Sequence, residues 1–225
     1  MHSVTAVGHR GDPYRVRENT LDSLRSALAA GADAVEVDVR LTRDGVPVLL
    51  HDATLKRLWG HDRPLDQLSA VEVRGLTDGG VPTLEEALRT TDDSRVMVDL
   101  PNATPETVRT VVGTVHDCGA AERAYYCAGT ATMRLVREAD PDAEIALTWK
   151  TLAPARPEVL EAIRPRWLNY RFGLLSRDLV GRVHRDGLRV SCWTPDTKRS
   201  MRRLLDLGVD SITTNRVAEL CALRA

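Results

Sequence analysis

Short apolar, β-branched runs recur along the chain, and segments of helical periodicity fill most of the gaps between them. The runs are VTAVG from Val4, AVEVDV from Ala34, RVMVDL from Arg95, RAYYCA from Arg123, EIALTW from Glu144, RWLNYR from Arg166, LRVSCW from Leu188 and DSITT from Asp210. Each has the length and residue types of a buried strand. After the first run, Leu21, Leu24 and Leu28 share one helical face, Asn19 or Thr20 can cap its start, and Gly31 ends it. Thr83 followed by Glu86 has capping-box spacing. This alternation predicts an α/β fold of parallel units closed into a TIM (β/α)8 barrel. The competing open, doubly wound sheet would carry GxGxxG after its first strand, and this chain has none there.

One interval breaks the rhythm. VEVDVRLTRDGVPVLLHD reads as two alternating runs joined by Asp44-Gly45, a signal for a two-residue hairpin turn. Such a turn pairs Arg43 with Val46 and, counting outward, Asp38 with His51. The histidine would then return to the level of Glu36 and Asp38. Residues 53–82 follow as a small polar insertion, expected to form short helices on the barrel rim. The expectation is one domain over 1–225, a barrel with a β-hairpin extension after strand 2.

Composition narrows the function classes. The chain has 225 residues, 43% of them apolar, and a net charge of −1. That balance argues against a nucleic-acid partner or stable membrane association. The start, MHSVTAVGHRG, lacks the pattern of a secretory signal, and no apolar run approaches the ~20 residues of a membrane span. Cys118, Cys127, Cys192 and Cys221 are widely spaced, without zinc-ligand spacing, and read as free thiols in a reducing compartment. The expected location is cytoplasmic.

Chemistry concentrates at the strand ends, where a barrel of this kind builds its site. In order these are His9 and Arg10, then Glu36 and Asp38 with His51 returned by the hairpin, then Asp99, Lys150, Arg171, Trp193 and Asn215. Glu36 and Asp38 alternate in an apolar strand, so both point to one side of it. Adjacent buried carboxylates repel unless a cation or proton separates them. All-oxygen ligation with Asp99 as third ligand suits Mg²⁺ or Ca²⁺; salt bridges to arginines inside the barrel are the other reading. His9 and His51 together suit acid/base work, since imidazole titrates near neutral pH. Cleavage of a phosphodiester needs one proton removed from the nucleophile and one given to the leaving alkoxide. Arg10 offers a fork of donors matched to phosphate. His2, His61, His116 and His184 read as surface residues, and Trp59 and Trp149 as packing or rim residues.

The stretch GHRGDPYRVRENTLDSLRSALAAGADAVEVDVRLTRDGVPVLLHDATLKRL resembles the glycerophosphodiester phosphodiesterases, within the wider phospholipase C-like phosphodiesterases. It carries their His-Arg-Gly, Glu-Asn-Thr, Glu-x-Asp-Val, Asp-Gly-x-Pro-Val and His-Asp signatures in order, and VPTLEEAL and LRVSCWTPD…LLDLGVDSITTN resemble later blocks. The resemblance implies a TIM barrel that hydrolyses glycerophosphodiesters to glycerol 3-phosphate and an alcohol with a divalent cation. It implies catalytic roles for His9 and His51, phosphate contact by Arg10, and metal ligation by Glu36, Asp38 and Asp99.

The chain departs from the family pattern at Asp99-Leu100-Pro101, where Glu-x-Lys is usual, at Thr214-Asn215 for Thr-Asp, and at Arg17 for Pro. Lys150 is a candidate to restore the missing cation as a substrate contact, and Trp193 to wall the glycerol or alcohol group. Related two-histidine barrels with lysophospholipase D or cyclising activity, and a non-catalytic barrel that binds a phosphorylated metabolite, are the alternatives.

Overall fold

The computed structural model describes residues 4–101 and 103–224; the expected surface residue His2 lies outside them. The strands are β1 (Thr5–Gly8), β2 (Ala34–Leu41), β3 (Pro47–Leu49), β4 (Arg95–Asp99), β5 (Ala124–Ala128), β6 (Ile145–Thr148), β7 (Trp167–Arg171), β8 (Arg189–Trp193) and β9 (Ser211–Thr214). All but β3 are mutually parallel, and β1 pairs with both β9 and β2, which closes a TIM barrel. Strand β3 lies outside the ring, antiparallel to β2. Each of the eight apolar runs of the sequence falls on one barrel strand, with β2 continuing past its run to Leu41.

Alternation sorts the strand residues into two sets. Val35, Val37, Val96, Val98, Tyr126, Leu147, Leu168 and Ile212 pack outward with Leu24, Leu84, Val108, Val111, Met133 and Leu204 of the surrounding helices. Burial on both faces explains why the strands read as nearly continuous apolar runs. Inside, Met97, Tyr125, Cys127, Ala146 and Trp167 form a separate apolar cluster. The first helix, Leu21–Ala29, is capped by Thr20, and the helix Leu84–Thr90 has the capping box of Thr83 and Glu86. No helix among the described residues is long and apolar enough to cross a membrane.

The hairpin corrects the sequence reading. Thr42 N donates to Val46 O and Gly45 N to Thr42 O, and Gly45 has φ +78°, so the loop holds three residues, Arg43 to Gly45. Left-handed glycine after a tight turn is the usual three-residue solution. Thr42 Oγ1 donates to Asp44 Oδ1 at 2.6 Å, and Ala70 N donates to the same oxygen at 2.9 Å. The extra loop residue shifts the register by one, to Val39↔Leu49 and Arg40↔Val48. Asp38 O therefore accepts from Leu50 N at 3.0 Å, and His51 is not its ladder partner.

Beyond β3 the insertion forms helix Lys56–Trp59, a 3-10 turn Leu65–Gln67 and helix Ala70–Leu76. Val48, Leu50, Leu55, Leu65, Leu68, Val73 and Val81 give it a hydrophobic cluster of its own.

At the opposite mouth Glu144 closes the barrel floor. It accepts from Arg95 at 2.7 Å, Arg166 at 2.9 Å and Trp167 Nε1 at 2.7 Å, while Arg95 stacks on Tyr125 and Arg189 on Trp167. Burial alone would raise its carboxyl, but the Arg95 bond, then Trp167 and Arg166, hold it below the usual range. A depressed carboxyl stabilises the fold above its unfolded value near 4.3 and loses that contribution as pH falls through the folded one. Glu144→Gln should cost about 1–3 kcal/mol at pH 7. Calorimetry should show the Tm gap from wild type narrowing below about pH 4.

Candidate active site

His9 stands where β1 ends. Its N–H donates to Thr214 O at 3.0 Å, which fixes the backbone, and the chain then turns sharply. Arg10 has φ +55° and Gly11 φ +87°; a Cβ on Gly11 would lie 2.3–2.6 Å from Ser23. Only glycine fits there, and Arg10 bears left-handed strain of the kind found at functional sites. The strain has a visible return. Arg10 N donates to Glu36 Oε2 at 2.8 Å, and its guanidinium Nε lies 3.0 Å from Asp38 Oδ2. One residue thus faces two carboxylates.

Asp38 and Asp99 are register partners on β2 and β4, with Glu36 one pleat below. One ligand oxygen from each lies within 4.8 Å of the others. Burial, then the charges of Asp38 and Asp99, raise the Glu36 carboxyl well above its ordinary value. Burial and the Asp38 charge push Asp99 up to about 7. Asn19 Nδ2 donates to Asp38 Oδ2 at 2.8 Å. Glu36 Oε2 and Asp38 Oδ2 thus meet protein donors, which leaves Oε1 and Oδ1 for another ligand. A concentrated cluster of hard oxygens carrying excess negative charge fits a divalent cation.

The two histidines are held differently. His9 Nδ1 lies 2.7 Å from Asn215 Oδ1, and Asn215 Nδ2 donates to Asp196 Oδ2 at 2.7 Å. Because the Asn215 amide gives its N–H to Asp196, its oxygen faces His9 and must accept, so the proton sits on Nδ1. His9 Nε2, 3.9 Å from Glu36 Oε2, carries the lone pair. Burial and then the Arg10 charge lower the ring's affinity for a second proton. His51 follows the end of β3, where the chain has left the ladder, and its Nδ1 lies 2.7 Å from Asp52 Oδ1. It reaches the site through this departure rather than through strand register.

His9, Arg10, Glu36, Asp38, His51, Asp99, Lys150 and Trp193 all line one cavity of about 440 Å³ at the C-terminal mouth. Pro101, Cys127, Thr148, Asn169 and Thr213 complete much of its wall. Lys150 is exposed at the edge. Arg171 is also exposed and does not line the cavity. His116 and His184 pair with Asp140 and Asp210 elsewhere. Trp149 donates to Ala153 O, and Trp59 packs against the insertion cluster. Sequence reasoning did not single out Asp196, Glu18 or Arg57, and it took Asn19 only as a cap. The Glu-Asn-Thr and His-Asp motifs contained some of that signal, and Asp196 closes the LRVSCWTPD block.

The profile of the Glycerophosphoryl diester phosphodiesterase family matches residues 9–219. The glycerophosphodiester phosphodiesterase of Caldanaerobacter subterraneus is 26% identical over 93% of this chain and 93% of its own. The protein of Mycobacterium tuberculosis named probable glycerophosphodiester phosphodiesterase 2 is 30% identical over 94% of this chain and 87% of its own. A glycerophosphodiester phosphodiesterase structure from Thermotoga maritima has a TM-score of 0.87 at 25% identity, covering 99% of both chains. A phosphodiesterase of Oleispira antarctica, solved with its product sn-glycerol-3-phosphate, shares the fold at TM-score 0.88 and 20% identity, covering 96% of this chain and 95% of its own.

The Asn215 contact yields an observable that needs no substrate. Two-bond ¹H–¹⁵N spectra of the wild type should show the His9 proton on Nδ1. Asn215→Leu, which removes the acceptor, should give a mixture of tautomers with the fold retained.

Proposed function

The chain belongs to the glycerophosphoryl diester phosphodiesterase family, and we propose that it hydrolyses glycerophosphodiesters to glycerol 3-phosphate and an alcohol by two-histidine acid/base catalysis. The observation that carries this reading is one cavity lined by both imidazoles, Arg10 and an acidic triad. Glu36, Asp38 and Asp99 would hold the cation, Mg²⁺ or Ca²⁺. When bound, that ion neutralises charge on the phosphoryl oxygens and acidifies the nucleophile.

The remaining chemistry is assigned to the chain's own side chains. Arg10 sets its Nε in an ion pair 3.0 Å from Asp38 Oδ2 and donates Nη1 to Glu18, leaving Nη2 for a phosphoryl oxygen. His9, neutral with its Nε2 lone pair toward the cavity, serves as the base that takes the proton of the attacking water or hydroxyl. His51, more exposed and backed by the Asp52 carboxylate, gives a proton to the departing alkoxide. Asp52 is held to about 2, chiefly by Arg57 and also by His51, so it stays ionised and balances the charge of a protonated ring. Lys150 replaces the cation that Pro101 cannot supply; its charge already acts on Asp99. Trp193 walls the glycerol or alcohol group.

Release of glycerol 3-phosphate from glycerophosphocholine should require added Mg²⁺ or Ca²⁺ and stop with EDTA. His9→Ala and His51→Ala should each lower kcat/KM by about 10²–10⁴-fold. Turnover indifferent to both substitutions would overturn the mechanism. Lys150→Ala should raise KM several-fold, and unchanged kcat/KM would remove Lys150 from the site. Phosphorus NMR during turnover separates direct attack by water from internal attack through a transient cyclic phosphate.

A further inference from the structure

Helix Lys56–Trp59 of the insertion carries an arginine that does not line the cavity, yet grips the partners of two groups that do. Arg57 Nε donates to Asp52 Oδ2 at 2.6 Å and Nη2 to Asp52 Oδ1 at 3.2 Å. Its Nη2 also donates to Glu18 Oε1 at 2.6 Å and its Nη1 to Glu18 Oε2 at 3.1 Å. Glu18 Oε1 in turn accepts from Arg10 Nη1 at 2.8 Å, and Asp52 Oδ1 lies 2.7 Å from His51 Nδ1. An unbroken chain of contacts runs from His51 through Asp52, Arg57 and Glu18 to Arg10.

Both carboxylates are ionised in this arrangement. Burial would raise Glu18, but the Arg57 bond and then the Arg10 charge hold it below its ordinary value. Two anions facing the same gap repel, and the Arg57 fork is what lets them share it. The fork is itself anchored. Arg17, the residue before Glu18, stacks on Trp59 at 4.3 Å, two residues after Arg57. Trp59 packs against the insertion cluster and over Gly80, where a Cβ would come within 2.0 Å of its ring. Adjacent residues of the loop after β1 therefore hold two residues of one helical turn.

We propose that Arg57 is a positioning residue whose planar fork, shared between Asp52 and Glu18, sets the separation and orientation of His51 and Arg10 across the bound phosphate. The proposal rests on the roles given to those two groups above. It makes the insertion part of the site without any insertion side chain in helix 56–59 touching substrate. Lysine cannot replace Arg57, because one ammonium cannot reproduce two parallel pairs of bonds.

The test compares wild type, Arg57→Ala and Arg57→Lys in the full chain. With glycerophosphocholine, Arg57→Ala should lower kcat about 10–100-fold, the usual cost of losing an outer-shell partner, and Arg57→Lys should recover little of it. With a glycerophosphodiester of p-nitrophenol, whose leaving group needs no proton, the loss should be smaller. Added guanidinium ion should partly restore Arg57→Ala. Arg57 is exposed, so Tm should change little. Wild-type kcat in Arg57→Ala, or an equal loss on both substrates, would overturn the proposal. Two-bond ¹H–¹⁵N spectra of His51 give a readout independent of turnover: Arg57→Ala should alter the ring's tautomer or protonation pattern, and an unchanged spectrum would count against positioning. If the wild type fails to turn over, the functional reading falls while the spectra still decide Arg57.

Discussion

Mutual repulsion among Glu36, Asp38 and Asp99 is the constraint around which this molecule is arranged. Parallel pairing of β2 with β4 places Asp38 directly beside Asp99, and strand alternation brings Glu36 to the same side. The backbone of all three is fixed in barrel strands. Arg10 supplies one compensating charge, and it does so from a backbone conformation that arginine does not favour. Its N–H answers Glu36 and its guanidinium answers Asp38. Burial first, and then the charges of the neighbouring carboxylates, raises the carboxyls of Glu36 and Asp99 above their ordinary values.

The same arrangement separates two chemically identical side chains. His9 meets a neutral amide whose polarity is dictated by Asp196, and burial disfavours its cation. His51 meets a carboxylate and stays nearer solvent. Different environments that give like groups different proton preferences are a general way to assign acid and base roles. Here the difference is set by partners rather than by the rings. The Asn215 that replaces a usual aspartate is consistent with it: an amide holds His9 in one tautomer without adding another negative charge beside the triad.

Much of this was legible in the sequence because strand periodicity and strand-end chemistry are local signals. Eight apolar runs, Glu36 and Asp38 two apart, and His9-Arg10 just past a strand needed no tertiary information. The hairpin was legible in kind and wrong in detail. Asp44-Gly45 signals a turn, but whether the loop holds two residues or three depends on Thr42 and on Ala70 from the insertion, which pull Asp44 inward. A one-residue slip should have reversed the face of His51; it did not, because the chain bends away after β3. Asp196 and Arg57 lie within the family-like blocks, but what they touch was not legible, for a different reason. Each acts on a residue that acts on the site, and no spacing rule reports a contact at second remove.

Arg17 shows how a departure from a family pattern can be explained by structure. Proline at that position would fix the backbone before Glu18; arginine instead fixes it by stacking on Trp59. The restraint moves from the loop's own covalent geometry to a contact with the insertion. That transfer matters because barrel strands place side chains only around a ring, and His51, which follows an outlying hairpin strand, has no such support. The hairpin needs its own hydrophobic cluster, which Val48, Leu50, Leu55 and Leu68 provide. The cluster in turn needs a fixed relation to the barrel, and the paired grips of Arg17 on Trp59 and Glu18 on Arg57 supply one. The small insertion thereby serves as an outer support for His51 at the cavity that His9 also lines.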